Sequence, residues 1–417
     1  MSSFEVHDVA INIELYKLLR FYHVFDPSNS KIFGFNVYRF TGILITVFIQ
    51  SCVLFGLLGC FMEMEDSLDY IELFVFIFVN SSNFLSVMKI CVFIYKANDT
   101  WDLFEVTRIQ FLKSEPCRKY RDDILEKVRN KSIKLTNFIF GFASMTCIIW
   151  MIYPLVVNFF MLATDQINNQ RYQNIFNMRY PVTINTYNQY YFVFYAIEVI
   201  LAAFILYNSI LIDTFLVSFC WVIIAQYEIL TEAFGNIGYE DKFQNQDKDC
   251  SIKAYNDLKS LLSEQRRLNL KLKLYYSIVW YIVLTYVVLS SCSIITLTYS
   301  FIMTCMLTTK SLPVLSIIKI IAPFTIVSFQ LFLHCYFFGL INSKKASVSY
   351  GMYSSNWTSI DLKFQKSLLL SMRMNDADNL MIKATPTKIV NLELFVGVMI
   401  TTYNIVSVML NTFKSKI

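Results

Sequence analysis

The side chains in this sequence with most scope for chemistry are the ionisable groups set inside long apolar stretches: Lys89, Glu198, Asp213, Lys319 and His334. At that depth an ionisable residue marks an ion path, a relay or a ligand contact, unless its side chain is long enough to reach an interface. Lys89, seven residues from Lys96, and Lys319, near a span end, can both snorkel. Glu198 and Asp213 are shorter and lack that escape. None of the five completes a bond-breaking constellation, which needs a nucleophile, a base and an orienting partner, and His334 stands alone. His7, His23 and His334 are too scattered for an imidazole metal centre. The ten cysteines show no CxxC and no paired spacing. No catalytic residue, metal or cofactor is therefore expected. Glu63, Glu65, Asp66 and Asp69 sit together without a base. Such a group either concentrates cations at a pore mouth or is simply a solvated connector.

The elements that must carry these residues follow from composition. Of 417 residues, 56% are hydrophobic and only 16% charged, with a mean hydropathy of +0.48; an ordinary soluble domain has about 25% charged residues. The apolar residues gather in blocks at about 40–62, 73–95, 137–163, 190–213, 275–308, 314–341 and 391–413. At about 20 residues per crossing, that predicts seven transmembrane helices in an all-α membrane protein. No cleavable signal precedes the first block, so it is expected to act as its own insertion signal.

Lys and Arg set the expected orientation. Connectors on one side carry 29 of them and those on the other side five, with Lys89 and Lys319 inside spans. The N-terminus is then cytoplasmic and the C-terminus extracellular. The sequons agree: Asn98, Asn130 and Asn356 fall on the cytoplasmic side and Asn80 within the membrane. That arrangement is the inverse of a G-protein-coupled receptor.

Two blocks, Tyr190 to Tyr227 and Leu274 to Thr309, overrun the bilayer; as helices they reach about 55 Å against a hydrocarbon core of about 30 Å. Amphipathic stripes at Leu258, Leu261, Leu262, Leu268 and Leu272, and at Trp357, Ile360, Phe364, Leu368 and Met372, extend the helical character into the cytoplasm. They imply either packing within one chain or a collar that joins subunits.

Around the last connector and last span the sequence resembles the insect odorant receptor family. Ser347, Tyr350 and Trp357 match its small-residue, Tyr and Trp pattern, Lys366 to Arg373 its basic leucine-rich helix, and Asn391-Leu392-Glu393-Leu394-Phe395 the start of its final span. The resemblance implies a ligand-gated, non-selective cation channel of four subunits, in the plasma membrane, with the seventh span lining the pore. It divides the chain into a six-helix ligand-binding region at 1–342, cytoplasmic helices anchoring subunit to subunit at 343–390, and a pore-lining helix with a short extracellular tail at 391–417. The connector at 228–274 has only about 47 residues, which resembles the variable, odour-tuning subunit rather than the coreceptor. A coreceptor is thus the implied partner in a hetero-tetramer, along with a volatile ligand and the bilayer, with no nucleic acid.

Counting from Leu394-Phe395, the coreceptor's narrow point, a valine followed three residues later by a glutamine, falls on Val408 and Asn411. These two become the expected gate, with Glu393 at the inner mouth, where the helix dipole favours an acid. Ile405 departs from the family's aromatic at that place. The gustatory branch is an alternative, since Thr402-Tyr403 fits it, although Val408-Met409 replaces its polar half. A secondary transporter of a small organic solute is a second alternative, but repeated broken helices are not visible. An odour pocket in the outer half of the membrane would draw on Phe74, Phe78, Trp150, Tyr153, Phe192, Tyr195 and Ile318, with Pro154 and Pro323 opening space beside it.

Overall fold

The computed structural model describes residues 5–32, 35–62, 70–163, 171–176, 178–239, 247–307, 313–378, 380–385 and 387–414. The acidic group at Glu63, Glu65, Asp66 and Asp69 lies outside these residues, as do the side chains of Phe74, Ile318 and Lys319 within their helices. Short elements come first: α1 (Ile13–Leu18), α2 (Phe21–Phe25) and a two-residue hairpin of β1 (Lys31–Ile32) and β2 (Phe35–Asn36). Then follow α3 (Val37–Met62), α4 (Tyr70–Tyr95), α5 (Ala97–Leu103), α6 (Glu115–Ala163), α7 (Ile184–Gln189), α8 (Tyr191–Gly235), α9 (Asp247–Leu307), α10 (Pro313–Ser354), α11 (Leu362–Ala377) and α12 (Leu392–Lys414). Seven of them, α3, α4, α6, α8, α9, α10 and α12, are long and apolar enough to cross a membrane. The expected all-helical, seven-span plan is what the chain adopts.

Four of these helices run well past a bilayer. At 1.5 Å per residue the 61 residues of α9 extend about 90 Å, so roughly two thirds of it lies beyond the hydrocarbon. The surplus of α6, α8, α9 and α10 forms a second bundle at the end that carries the basic connectors. Leu258, Leu261, Leu268 and Leu272 of α9 are buried there, and so are Phe364 and Leu368 of α11. Both amphipathic stripes are thus covered largely by this chain itself. What α11 leaves exposed is the opposite face, including Leu362, Leu369, Leu370 and Met374.

Polar side chains at helix starts explain where these helices begin. Asp361 accepts the Phe364 N–H at 3.0 Å to cap α11, and Asn391 accepts the Leu394 N–H at 3.1 Å to start α12. The N-terminal segment closes the basic end. Phe21 meets Phe93 and Phe215 edge-on, Phe25 meets Phe93 edge-on and stacks on Phe215, and the Tyr16 hydroxyl meets Ser218 at 3.1 Å. Nearby, Glu105 bonds Arg267 and lies 3.0 Å from Lys271 of α9. Burial alone would raise the Glu105 pKa, but the two cations outweigh it and hold the carboxyl below its usual range.

Helices α8 and α10 approach closely at Gly351. A Cβ there would stand 2.5 Å from the Thr231 carbonyl oxygen. Gly351→Ala is therefore expected to cost about 1–3 kcal/mol of stability by overpacking. In the same assay Gly141→Ala, where nothing lies within 4 Å, should gain roughly 0.5–1 kcal/mol. Thermal unfolding of the detergent-solubilised protein measures both; equal melting temperatures for the two variants would contradict the close approach.

Candidate functional site

Toward the end of the bundle away from the basic connectors, α4, α6, α8 and α10 do not meet fully and leave a cavity of about 150 Å³. Each helix presents one face, at helical spacing. Val79 and Ser82 come from α4, Ala143, Thr146, Cys147 and Trp150 from α6, Ala202, Ile205, Leu206, Ser209 and Ile210 from α8, and Pro323, Ile326, Val327 and Gln330 from α10. Phe78 adds its ring from α4, 6.0 Å from Trp150. Pro323, which cannot donate a backbone hydrogen bond, stands at the wall inside a helix that continues through it. Pro154 also sits inside an unbroken helix but is not part of the wall.

The polar capacity of this cavity is small and can be counted. One hydroxyl has one hydrogen. Ser86 directs its hydrogen to the Ser82 carbonyl at 2.9 Å, so Ser209 is the donor to Ser86 at 2.8 Å. Thr146 donates to the Phe142 carbonyl. The Gln330 Oε1 accepts from Tyr286 at 3.3 Å, which leaves its amide N–H groups, along with the Ser82 hydroxyl, as donors without a protein partner among the described residues. Among the described residues no charged side chain lines the space. It suits a small neutral molecule, mostly hydrocarbon, with one oxygen function, because a charged one would be buried unpaired.

A loop contributes to the cavity wall through Phe176. Residues 171–176 and 178–183, which precede α8, are held by Glu198, which is fully buried on α8. Its Oε2 accepts the backbone N–H of Ile175 at 2.7 Å and of Phe176 at 3.1 Å, while Oε1 accepts the Tyr180 hydroxyl at 3.1 Å. Burial and the adjacent carboxylate push the Tyr180 phenol well above its ordinary range, so it remains a donor. Asn158 adds a reciprocal pair to the Gln173 backbone, at 2.8 and 2.9 Å. The result is that Phe176 lines the cavity beside Trp150, their centroids 6.1 Å apart.

Of the seven aromatic and aliphatic positions named from the sequence, Phe78 and Trp150 line this cavity. Tyr195 instead donates to the Met151 carbonyl at 2.8 Å, Tyr153 is half-buried outside the wall, and Phe192 points away, 77% exposed. Helix α8 reaches the cavity through Ala202 to Ile210, deeper than Phe192 and Tyr195, and Phe176 comes from a loop. Ser82, Ser209 and Gln330, polar residues inside spans, were the readable sign of that depth.

Helix α12 forms a second candidate site. Only 11% of its span is buried in the chain, the lowest of the seven, although it touches α9 and α10. Val406 and Thr402 face the bundle. On the far side Glu393, Gly397, Thr401, Asn404, Val408 and Asn411 make one exposed stripe at spacings of four, four, three, four and three. Glu393 also borders a cleft of about 500 Å³ with Lys388 and Asn391. Among the described residues no cluster of His, Cys, Asp and Glu could hold a metal.

Residues 69–403 match the family model described as 7tm Odorant receptor. Two solved structures share the fold: the olfactory receptor OR5 of the insect Machilis hrabei, and the same receptor in complex with eugenol. Each has a TM-score of 0.74 and 14% identity, covering 99% of that chain and 96% or 95% of this one, respectively. No curated protein matches the chain in sequence.

Proposed function

The chain belongs to the odorant receptor family, a multi-pass plasma-membrane group, and from that premise we propose that it is the odour-tuning subunit of a ligand-gated, non-selective cation channel. The observation that carries this is the stripe on α12. A stripe of exposed polar and small residues with one valine is unsuited to lipid, whereas the exposed Val396, Ile400 and Tyr403 beside it are not. Four such helices around an axis would line a wettable path with an apolar ring at Val408, a polar ring at Asn411 and Glu393 at the cytoplasmic mouth. The basic end is then cytoplasmic, the C-terminus extracellular, and the exposed face of α11 part of the anchor between subunits. The short connector at 228–274 supports the tuning role, with a coreceptor completing the hetero-tetramer.

The volatile occupies the cavity among α4, α6, α8 and α10, beneath Phe176. Apolar contact with Trp150 and Phe78 supplies affinity, and the Gln330 amide or Ser82 hydroxyl meets one oxygen. Eugenol, present in one of the related receptor's structures, is neutral and mostly hydrocarbon, with a hydroxyl and a methoxy oxygen side by side, and is a rational first probe. Recording from cells that express this chain with a coreceptor tests the channel reading. Val408→Ala and Asn411→Ala are expected to change unitary conductance or unliganded current, by widening an apolar constriction and removing a polar ring. If neither variant alters either quantity, the gate does not lie there.

A further inference from the structure

One turn below the cavity floor, toward the basic end, the membrane domain contains a buried charge cluster whose members are not part of the cavity wall. Lys89 of α4 places Nζ 2.6 Å from Asp213 Oδ1 of α8, with side chains 1% and 5% exposed. The same ammonium lies 5.1 Å from the ring centroid of Tyr286 on α9. That ring stacks on His334 of α10 at 4.9 Å, and the His334 Nε2 is 3.8 Å from Asp213 Oδ1. Snorkelling does not occur: Lys89 stays inside, although an aqueous interface is a few turns away.

The cluster is built onto the cavity. Asp213 follows the wall residue Ser209 by four positions, and His334 follows Gln330 by four. The His334 Nδ1 donates to the Gln330 backbone carbonyl at 2.8 Å, so that nitrogen carries a hydrogen. The Tyr286 hydroxyl reaches the Gln330 side chain and lies 3.4 Å from the carbonyl of Val327, another wall residue. On its other face α10 carries Phe332, packed edge-on against Phe395 of α12 at 5.7 Å. Helices α9 and α10, which this cluster ties to α4 and α8, are the two that support α12.

We propose that Lys89, Asp213, Tyr286 and His334 form the joint that couples the floor of the cavity to α12, holding α9 and α10 in one position against α4 and α8; this rests on the channel reading above. Two buried polar atoms, Asp213 Oδ2 and His334 Nε2, have no hydrogen-bond partner among the described residues. A network with every bond made would be rigid. Here a small shift of α10 exchanges partners with little loss, which is what a two-position joint requires. Gln330 moves with that shift because its backbone carbonyl accepts from His334 and its side-chain oxygen from Tyr286. The four residues act as positioning residues and need not contact the ligand.

A cost of burial separates this role from simple stapling. Removing one charge leaves the other unpaired, whereas replacing both with apolar groups is often neutral. Lys89→Met and Asp213→Asn are each expected to lower the melting temperature, and the double variant Lys89→Met/Asp213→Leu to regain it. Amide exchange of residues 392–414 in the purified full-length chain is then the deciding measurement. In the double variant it should be at least ~5-fold faster than in the unaltered protein, the low end of typical site-to-site coupling. A double variant with restored melting temperature and unchanged exchange in that segment overturns the joint. If the double variant does not fold, Tyr286→Leu, which keeps the ion pair, carries the same expectation, and unchanged exchange there overturns it equally. Absence of any current from the unaltered chain with a coreceptor would refute the channel reading, while the exchange result would still decide whether the cavity floor and α12 are coupled.

Discussion

Glu198→Ala is expected to release the loop that carries Phe176 of the cavity wall and to raise the half-maximal concentration of an activating volatile by roughly 10–100-fold. The substitution leaves three donors, the N–H groups of Ile175 and Phe176 and the Tyr180 hydroxyl, without their acceptor in a buried place. Each such group costs about 1–3 kcal/mol. The loop can lower that cost by moving its donors into water, and in doing so it withdraws Phe176 from Trp150 and opens the cavity. Asn158 still holds Gln173, so the loop detaches at one end while the bundle stays folded. Glu198→Gln keeps one oxygen for the two backbone donors and presents an NH2 to Tyr180, which must then turn from donor to acceptor; its shift should be much smaller. Dose–response recordings corrected for surface expression test the order, with amide exchange at Ile175 and Phe176 as the structural readout. An alanine variant within twofold of the unaltered protein on the first, with protection retained on the second, would remove the role given to this carboxylate.

Trp150→Ala is expected to have the next largest effect, and it changes which molecules are accepted as well as how tightly. The indole is 8% exposed and stands between Phe78 and Phe176. Truncating a buried Trp costs about 3–5 kcal/mol, part of it for the space left behind. That space adds to a cavity of about 150 Å³, so small volatiles lose contact on one side while bulkier ones gain room. Responses to small ligands should fall at least tenfold, and a panel graded by size should shift its optimum upward. Phe192→Ala is the contrast, since that ring faces away from the protein and surface changes of this kind stay within about 0.5 kcal/mol. A panel profile that moves with Phe192 and not with Trp150 would place the binding face on the wrong side of the bundle.

Much of this architecture was legible without coordinates because the relevant signals are local. An uncharged run of about 20 residues has few other fates, and all seven such runs lie in helices, α3, α4 and α12 near their expected limits and α6, α8, α9 and α10 continuing well past one of them. The Asn391 to Phe395 motif likewise sits where a helix begins, with Asn391 as its cap. Side-chain direction was less accessible. Phe78, Trp150, Phe192 and Tyr195 are equivalent as letters, yet the first two line the cavity and the last two do not, because helix rotation is set by neighbours rather than by the helix's own residues.

The isolated ionisable residues show the division most clearly. Their presence inside apolar runs, readable from the sequence, marked Glu198 and Asp213 for special roles. Lys89, whose length suggested escape to the interface, is buried against Asp213 because four helices bring an anion and a tyrosine face to it. A lone His334 became part of the same cluster through residues 121 and 245 positions away. Crossing number and helix extent follow from the transfer of each segment out of water, which the chain's own order of residues determines. Partnerships among charges, the depth of the cavity and the bare face of α12 arise only when distant segments pack, since each depends on what the neighbouring helix places opposite.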